Sequence, residues 1–322
     1  MSESNKRNFI VHGSILAIAG ILVRIIGMLY RIPVVNIIGS EGNGIYGAAF
    51  NIYNIMLVLS SYGLPMAVSK LVSARFTKRR YKSAAKVLRC SLMVAVCTGG
   101  IAALLVFFGA SFIENVIYGG GLPGLAIPLR ILAPTIFLVA ILGVIRGFFQ
   151  GQSTMIPTAV SQILEQIVNA IVSIAAGYGM MKAFASSPDV AAYGAAGSTL
   201  GTAMGALTAV LFMGFLYAVY TPTFNRLKRK DRHTENQSTG QICKIIIYTM
   251  IPIILGQTFY QISALIDDVM FSNIMVGRDI TKSISMDLGN FSSSYSLLIG
   301  IPQGVASAML RSRLLPSGWN AA

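Results

Sequence analysis

Acidic residues are scarce in this sequence: 11 aspartates and glutamates stand among 322 residues, and charged residues of both signs make up only 11%. A soluble domain carries roughly 25%, so a fold surrounded by water is excluded for most of the chain. Histidine (2), cysteine (3) and tryptophan (1) are scarce too. His12 and His233 fall in a helix start and a charged loop, and Cys90, Cys97 and Cys243 are widely spaced with no CxxC. Neither a metal site nor a disulfide framework is indicated, and the cysteines read as small apolar packing residues. HExxH, P-loop and GxSxG patterns are lacking, as is a catalytic carboxylate pair. The absences argue for transport over enzyme chemistry.

What is present is apolar: 54% of residues are hydrophobic and the mean hydropathy is +0.69. A bilayer core of about 30 Å takes roughly 20 apolar residues per helix. Runs of that length recur at 9–35, 44–71, 86–109, 125–149, 156–181, 191–220, 243–271 and 286–309. They lack the period-two alternation of barrel strands. The fold class read from them is an all-α integral membrane protein of about eight transmembrane helices. The first run is too long for a signal peptide, carries Arg24 and Arg31 and lacks a cleavage pattern, so it reads as a retained helix. Stretches such as Gly143 to Gly147 and Gly201 to Gly205 fit small-xxx-small helix packing.

The net charge of +14 is concentrated between the runs. One set of loops holds Lys6, Arg7, Arg75, Lys78, Arg79, Arg80, Lys82, Lys86, Arg89, Arg146, Arg226, Lys228, Arg229, Lys230, Arg232 and Lys244. The alternate set holds only Lys182, Arg278 and Lys282. Lysine and arginine accumulate on the cytoplasmic side, which predicts a cytoplasmic N-terminus. Membrane orientation explains the basic charge, so nucleic acid is not an expected partner, whereas anionic lipid headgroups are. The polar stretch 222–241 reads as a linker between an N-lobe of six helices (1–221) and a partial C-lobe of two (242–309), followed by a tail (310–322).

Ionisable groups inside a membrane span usually face a cavity or a partner. Arg24 and Arg31 lie two helical turns apart on one face, a spacing suited to an anion such as a pyrophosphate held by guanidinium groups. Asn51 and Asn54 share a face of the second run. Glu165, with Gln162, Gln166 and Asn169 nearby, is either the partner of Arg24 or a proton-titrating group. Asp267 and Asp268 point about 100° apart, so at most one faces a cavity, where it could bind a coupling cation such as sodium. No other cofactor is expected.

The run from Ser14 through Arg24, Gly27, Tyr30 and Arg31 to Pro33 is followed by Ile38-Gly39-Ser40-Glu41-Gly42-Asn43-Gly44-Ile45-Tyr46-Gly47 and by Tyr62-Gly63-Leu64-Pro65 up to Lys70. Together with Arg146-Gly147-Phe148-Phe149-Gln150-Gly151 and Gln162-Ile163-Leu164-Glu165-Gln166, it resembles the polysaccharide transporter branch of the multidrug/oligosaccharidyl-lipid/polysaccharide exporter superfamily. More narrowly, it resembles the group containing the sporulation stage V and Gram-positive lipid II flippases. The resemblance implies a two-lobed bundle that flips a polyprenyl-pyrophosphate-linked saccharide by alternating access across the cytoplasmic membrane of a bacterium, with Arg24 and Arg31 among its cavity cations. Asn51, Asn54, Glu165 and Gln166, polar within their spans, are further candidate substrate contacts. Two departures stand out. Ser294-Tyr295-Ser296-Leu297 precedes Pro302 where related flippases place an arginine, and the chain stops after about eight helices where the family has twelve to fourteen, which reads as C-terminal truncation. Cation-coupled drug efflux, as in the related multidrug branch, predicts an acidic, aromatic cavity instead of a basic one. A membrane glycosyltransferase would need a catalytic loop that the sequence lacks.

Overall fold

The computed structural model describes residues 3–231, 237–278 and 284–291. Among them there are helices and no strands: α1 (Glu3–Ser60), α2 (Leu64–Thr77), α3 (Tyr81–Phe112), α4 (Ala126–Gly151), α5 (Ile156–Ala183), α6 (Val190–Lys230), α7 (Thr239–Val276) and α8 (Ile284–Asn290). Six helical segments are long and apolar enough to cross a membrane. The first, Ile18–Thr77, has 60 residues, about 90 Å at 1.5 Å per residue and so far more than one crossing. It contains the first two expected spans, divided at Gly39, where φ is 70° and ψ 178°. Only glycine adopts that backbone without strain. The expected eighth span beyond residue 291, the tail, the Ser294–Leu297 departure and the middle of the linker with His233 lie outside the described residues.

Two boundaries differ from the sequence reading. The second span does not run unbroken over 44–71: it stops at Ser60, turns, and restarts as α2 with Pro65 in its first turn. Proline has no N–H and its ring clashes with the preceding turn, so the first turn of a helix, where Pro65 stands, is its favoured place. The stretch 222–241 is also not all linker, because α6 continues through Pro222 to Lys230. Phe224 explains the extension. It is 1% exposed and packs against Phe76, Phe148 and Tyr220, while Lys228, Arg229 and Lys230 in the last turn meet the negative end of the helix dipole.

Side chains from one segment close the ends of another. Asp231, 5% exposed, accepts from the Lys82 backbone N–H in the first turn of α3 (2.9 Å). A single π-helical turn, Ile113–Ile117, extends α3. Its Glu114 carboxylate accepts from the Gly124 and Ala126 amides at 3.0 and 2.7 Å, capping α4. Ser238 and Gln241 form a capping box at the start of α7.

Close approach between helices rests on glycine rows. On α6, Gly197, Gly201 and Gly205 face Ala176, Ser173 and the Glu165–Asn169 turn of α5 so closely that a Cβ at any of them would overlap the neighbour. On α4, Gly147 and Gly151 face Pro65, Val68 and Val72 of α2 in the same way, and Gly143 lies close to the Pro65 ring. In lipid, where apolar burial gives little drive, backbone contact of this kind holds helices together. Toward the outside, large apolar groups such as Phe108, Leu211, Phe215 and Phe259 are exposed, as a bilayer-facing surface requires.

Candidate functional site

The candidate residues converge on the inner face of α1. Arg24, Gly27 and Arg31 fall at i, i+3 and i+7, on one side of the helix. Gly27 lets α5 approach: the amide nitrogen of Gln166 lies 3.1 Å from where a Cβ would be. Gln166 therefore packs against the part of α1 that lies between the two arginines, which are one helical turn to either side of Gly27. One turn away, Asn169 donates to the Tyr30 hydroxyl (3.3 Å), while its carbonyl accepts from Ser173 and Thr202 (2.9 and 3.4 Å). This ladder ties α1 to α5 and α6 beneath the arginines.

Arg24 is exposed and Arg31 half-buried. The Arg31 guanidinium lies 5.2 Å from the centroid of the Tyr46 ring, a cation–π contact. Its Nε is buried and has no hydrogen-bond partner among the described residues. An unmet buried donor on a cation costs about 1–3 kcal/mol, and a phosphate oxygen would satisfy it.

Glu165 makes its ion pair with a residue that sequence reasoning placed elsewhere. Arg146, counted above as a loop cation, lies within α4 and donates through Nη2 to Glu165 (2.7 Å) and through Nε to the Ser161 hydroxyl (2.9 Å). Their side chains are 14% and 27% exposed. The signal was available: a mid-span carboxylate requires a counter-charge, and Arg146 stands inside an apolar run of its own.

Of the two aspartates, Asp267 is exposed and Asp268 turns inward, as their 100° separation requires. Asn51 donates to Asp268 at 2.6 Å, joining α1 to α7. Asn54 is half-buried on the same helix. Three further contacts at this end were not anticipated: Ser272 and Asn273 donate to the Tyr118 and Ile117 carbonyls (both 2.8 Å), and buried Asn43 donates to the Gly289 carbonyl (2.8 Å). Among the described residues no three His, Cys, Asp or Glu side chains gather as a metal site would need. A groove on α3 lined by Ile101, Leu104, Leu105, Phe108 and Gly109 is almost wholly apolar and lies apart from the arginines. It belongs to the lipid-facing surface.

Residues 10–316 match the family described as Polysaccharide biosynthesis protein. Lipid II flippase MurJ of Bacillus subtilis (strain 168) is 34% identical over 176 residues, covering 53% of this chain and 32% of that protein. Stage V sporulation protein B of the same organism is 30% identical over 210 residues, covering 65% and 39%. This chain thus spans about a third to two fifths of the length of these two relatives. Among solved structures, an outward-facing MATE-family multidrug resistance transporter of the MOP superfamily superposes with a TM-score of 0.63 at 16% identity, over 94% of this chain and 69% of the other. A MOP superfamily transporter from Pyrococcus furiosus gives 0.61 at 16% identity, over 94% and 68%. At that identity the likeness establishes a shared fold.

Proposed function

This chain belongs to the polysaccharide biosynthesis protein family, and on that premise we propose that it moves a polyprenyl-pyrophosphate-linked saccharide, such as a cell-wall precursor, across the membrane by alternating access. Arg24, Arg31 and Gln166 engage the diphosphate in this reading, and the Asn51 and Asn54 face borders its path. The carrying observation is Arg31, with its guanidinium over the Tyr46 ring and a buried Nε donor left for an anion. A cationic, amide-lined face suits a phosphate diester and repels the cations typical of drug efflux. The relatives named above support the substrate class. The test is native mass spectrometry of the chain with an undecaprenyl-pyrophosphate saccharide and with the neutral undecaprenol. Selective retention of the pyrophosphate lipid is expected, and equal retention of both would sink the reading.

The lobe division at 222–241 and the cytoplasmic N-terminus are part of the same proposal. Excluding Arg146, the basic loop residues still stand fifteen to three. Cysteines introduced at Arg79 or Lys230 should resist an impermeant maleimide added outside intact cells, while one at Asn115 should react. The opposite pattern would invert the topology.

A coupling ion, sodium or proton, is assigned to Asp268 and not to Asp267, because Asp268 alone of the two turns toward α1 and its Asn51 partner. Asp268→Asn should remove the dependence of transport on sodium or pH and Asp267→Asn should keep it. Ion dependence that survives Asp268→Asn would exclude the assignment.

A further inference from the structure

Two of the three cysteines, remote in sequence, meet where α3 passes the start of α7. Cys90 is 1% exposed, inside the core that α2, α3 and α4 form with the first turns of α7. Cys243 is half-buried against that core. The Cys90 Sγ lies 3.8 Å from the Thr239 carbonyl. Thr239 precedes Cys243 by four residues and so shares its face of α7. Both thiols are free, and this shared face brings Cys243 up against the core that holds Cys90. Lys86 and Arg89 neighbour the first in sequence and Lys244 the second. Neither thiol serves the anion patch on α1.

We propose that Cys90 and Cys243 form a reversible oxidation site, at which hydrogen peroxide converts the dithiol into a disulfide linking α3 to α7. Cys243 is the more accessible sulfur and reacts first: its thiolate attacks a peroxide oxygen, the O–O bond breaks, and a sulfenic acid and hydroxide result. The Cys90 sulfur then attacks the sulfenic sulfur, forming the S–S bond as the S–O bond breaks. Over both steps two thiols and one peroxide give one disulfide and two waters. A dithiol reductant reverses it. Thiols in a reducing compartment stay reduced at rest, so the bond forms under oxidative load. Cys97 is exposed on α3 and outside this contact.

The experiment reads covalent chemistry and is independent of the transport proposal. Membranes holding the full chain are treated with hydrogen peroxide, the chain is unfolded, and remaining thiols are alkylated with a maleimide before digestion and mass spectrometry. The expected result is loss of two alkylatable thiols from one chain, a linked pair of peptides containing Cys90 and Cys243, and recovery of both thiols with dithiothreitol. Cys97→Ser should leave this unchanged. Cys90→Ser should strand Cys243 as a sulfenic acid that dimedone traps. Full alkylation of Cys90 and Cys243 after peroxide, or linkage through Cys97 or between chains, would overturn the proposal.

Discussion

Arg31→Ala is expected to weaken binding of a pyrophosphate-linked lipid by about 10- to 100-fold, the equivalent of the 1.5–3 kcal/mol carried by a hydrogen bond to a charged group. The Arg31 guanidinium lies over the Tyr46 ring, 5.2 Å from its centroid, so its position is restrained before any anion arrives. Arg31→Lys should recover little, because an ammonium offers a point charge without the planar pair of donors. Tyr46→Phe keeps the ring and should be nearly neutral, whereas Tyr46→Ala should repeat part of the loss. Arg24→Ala should weaken binding in the same direction with the protein at normal abundance. Affinities measured by native mass spectrometry or microscale thermophoresis on detergent-purified variants separate the outcomes. An Arg31→Ala protein that binds the pyrophosphate lipid as tightly as the parent would remove Arg31 from the site.

Glu165→Ala is expected to destabilise the helical bundle by about 2–4 kcal/mol, somewhat below the 3–5 kcal/mol seen when a fully buried pair loses one partner, since both groups here keep some exposure. The substitution leaves the Arg146 guanidinium against α5 with only Ser161 to accept from it. Removing both charges together has a different sign of argument. Arg146→Met with Glu165→Gln replaces an ion pair by groups of similar size and leaves no orphaned charge, so most of the lost stability should return. Thermal denaturation in detergent, followed by tryptophan-independent circular dichroism at helical wavelengths, reads both variants. A Glu165→Ala protein with the parent's midpoint would show that the pair contributes nothing to the fold. If the double variant is stable but transport is lost, Glu165 serves the substrate path as well as the scaffold.

The candidate site was legible in part, and the parts differ in kind. Arg24 and Arg31 stood out because a charge in an apolar run is costly wherever it lies, and their seven-residue interval places them on one face by helix geometry alone. The inward turn of one aspartate at 267–268 followed from the same geometry. The identity of each partner did not. Glu165 has several arginines to choose from in sequence, and Arg146 looked like a loop residue because it lies five positions from the end of α4. Glu114 and Asp231 were not singled out at all, since each caps a helix other than its own, and no local pattern links a cap to a helix reached through a turn.

By itself the sequence determined that this protein lives in a membrane, that it crosses as helices, roughly where each helix lies, and which few residues carry charge into the apolar layer. Those properties are local: apolar length, helical period and the position of basic loops are read along one stretch of chain at a time. The tertiary structure alone decided the helical extension carried by Phe224, the pairing of Arg146 with Glu165 and Asn51 with Asp268, and the meeting of Cys90 with Cys243. Each of these depends on which helix faces which, and that is settled by glycine rows and buried shapes whose complement lies elsewhere in the chain.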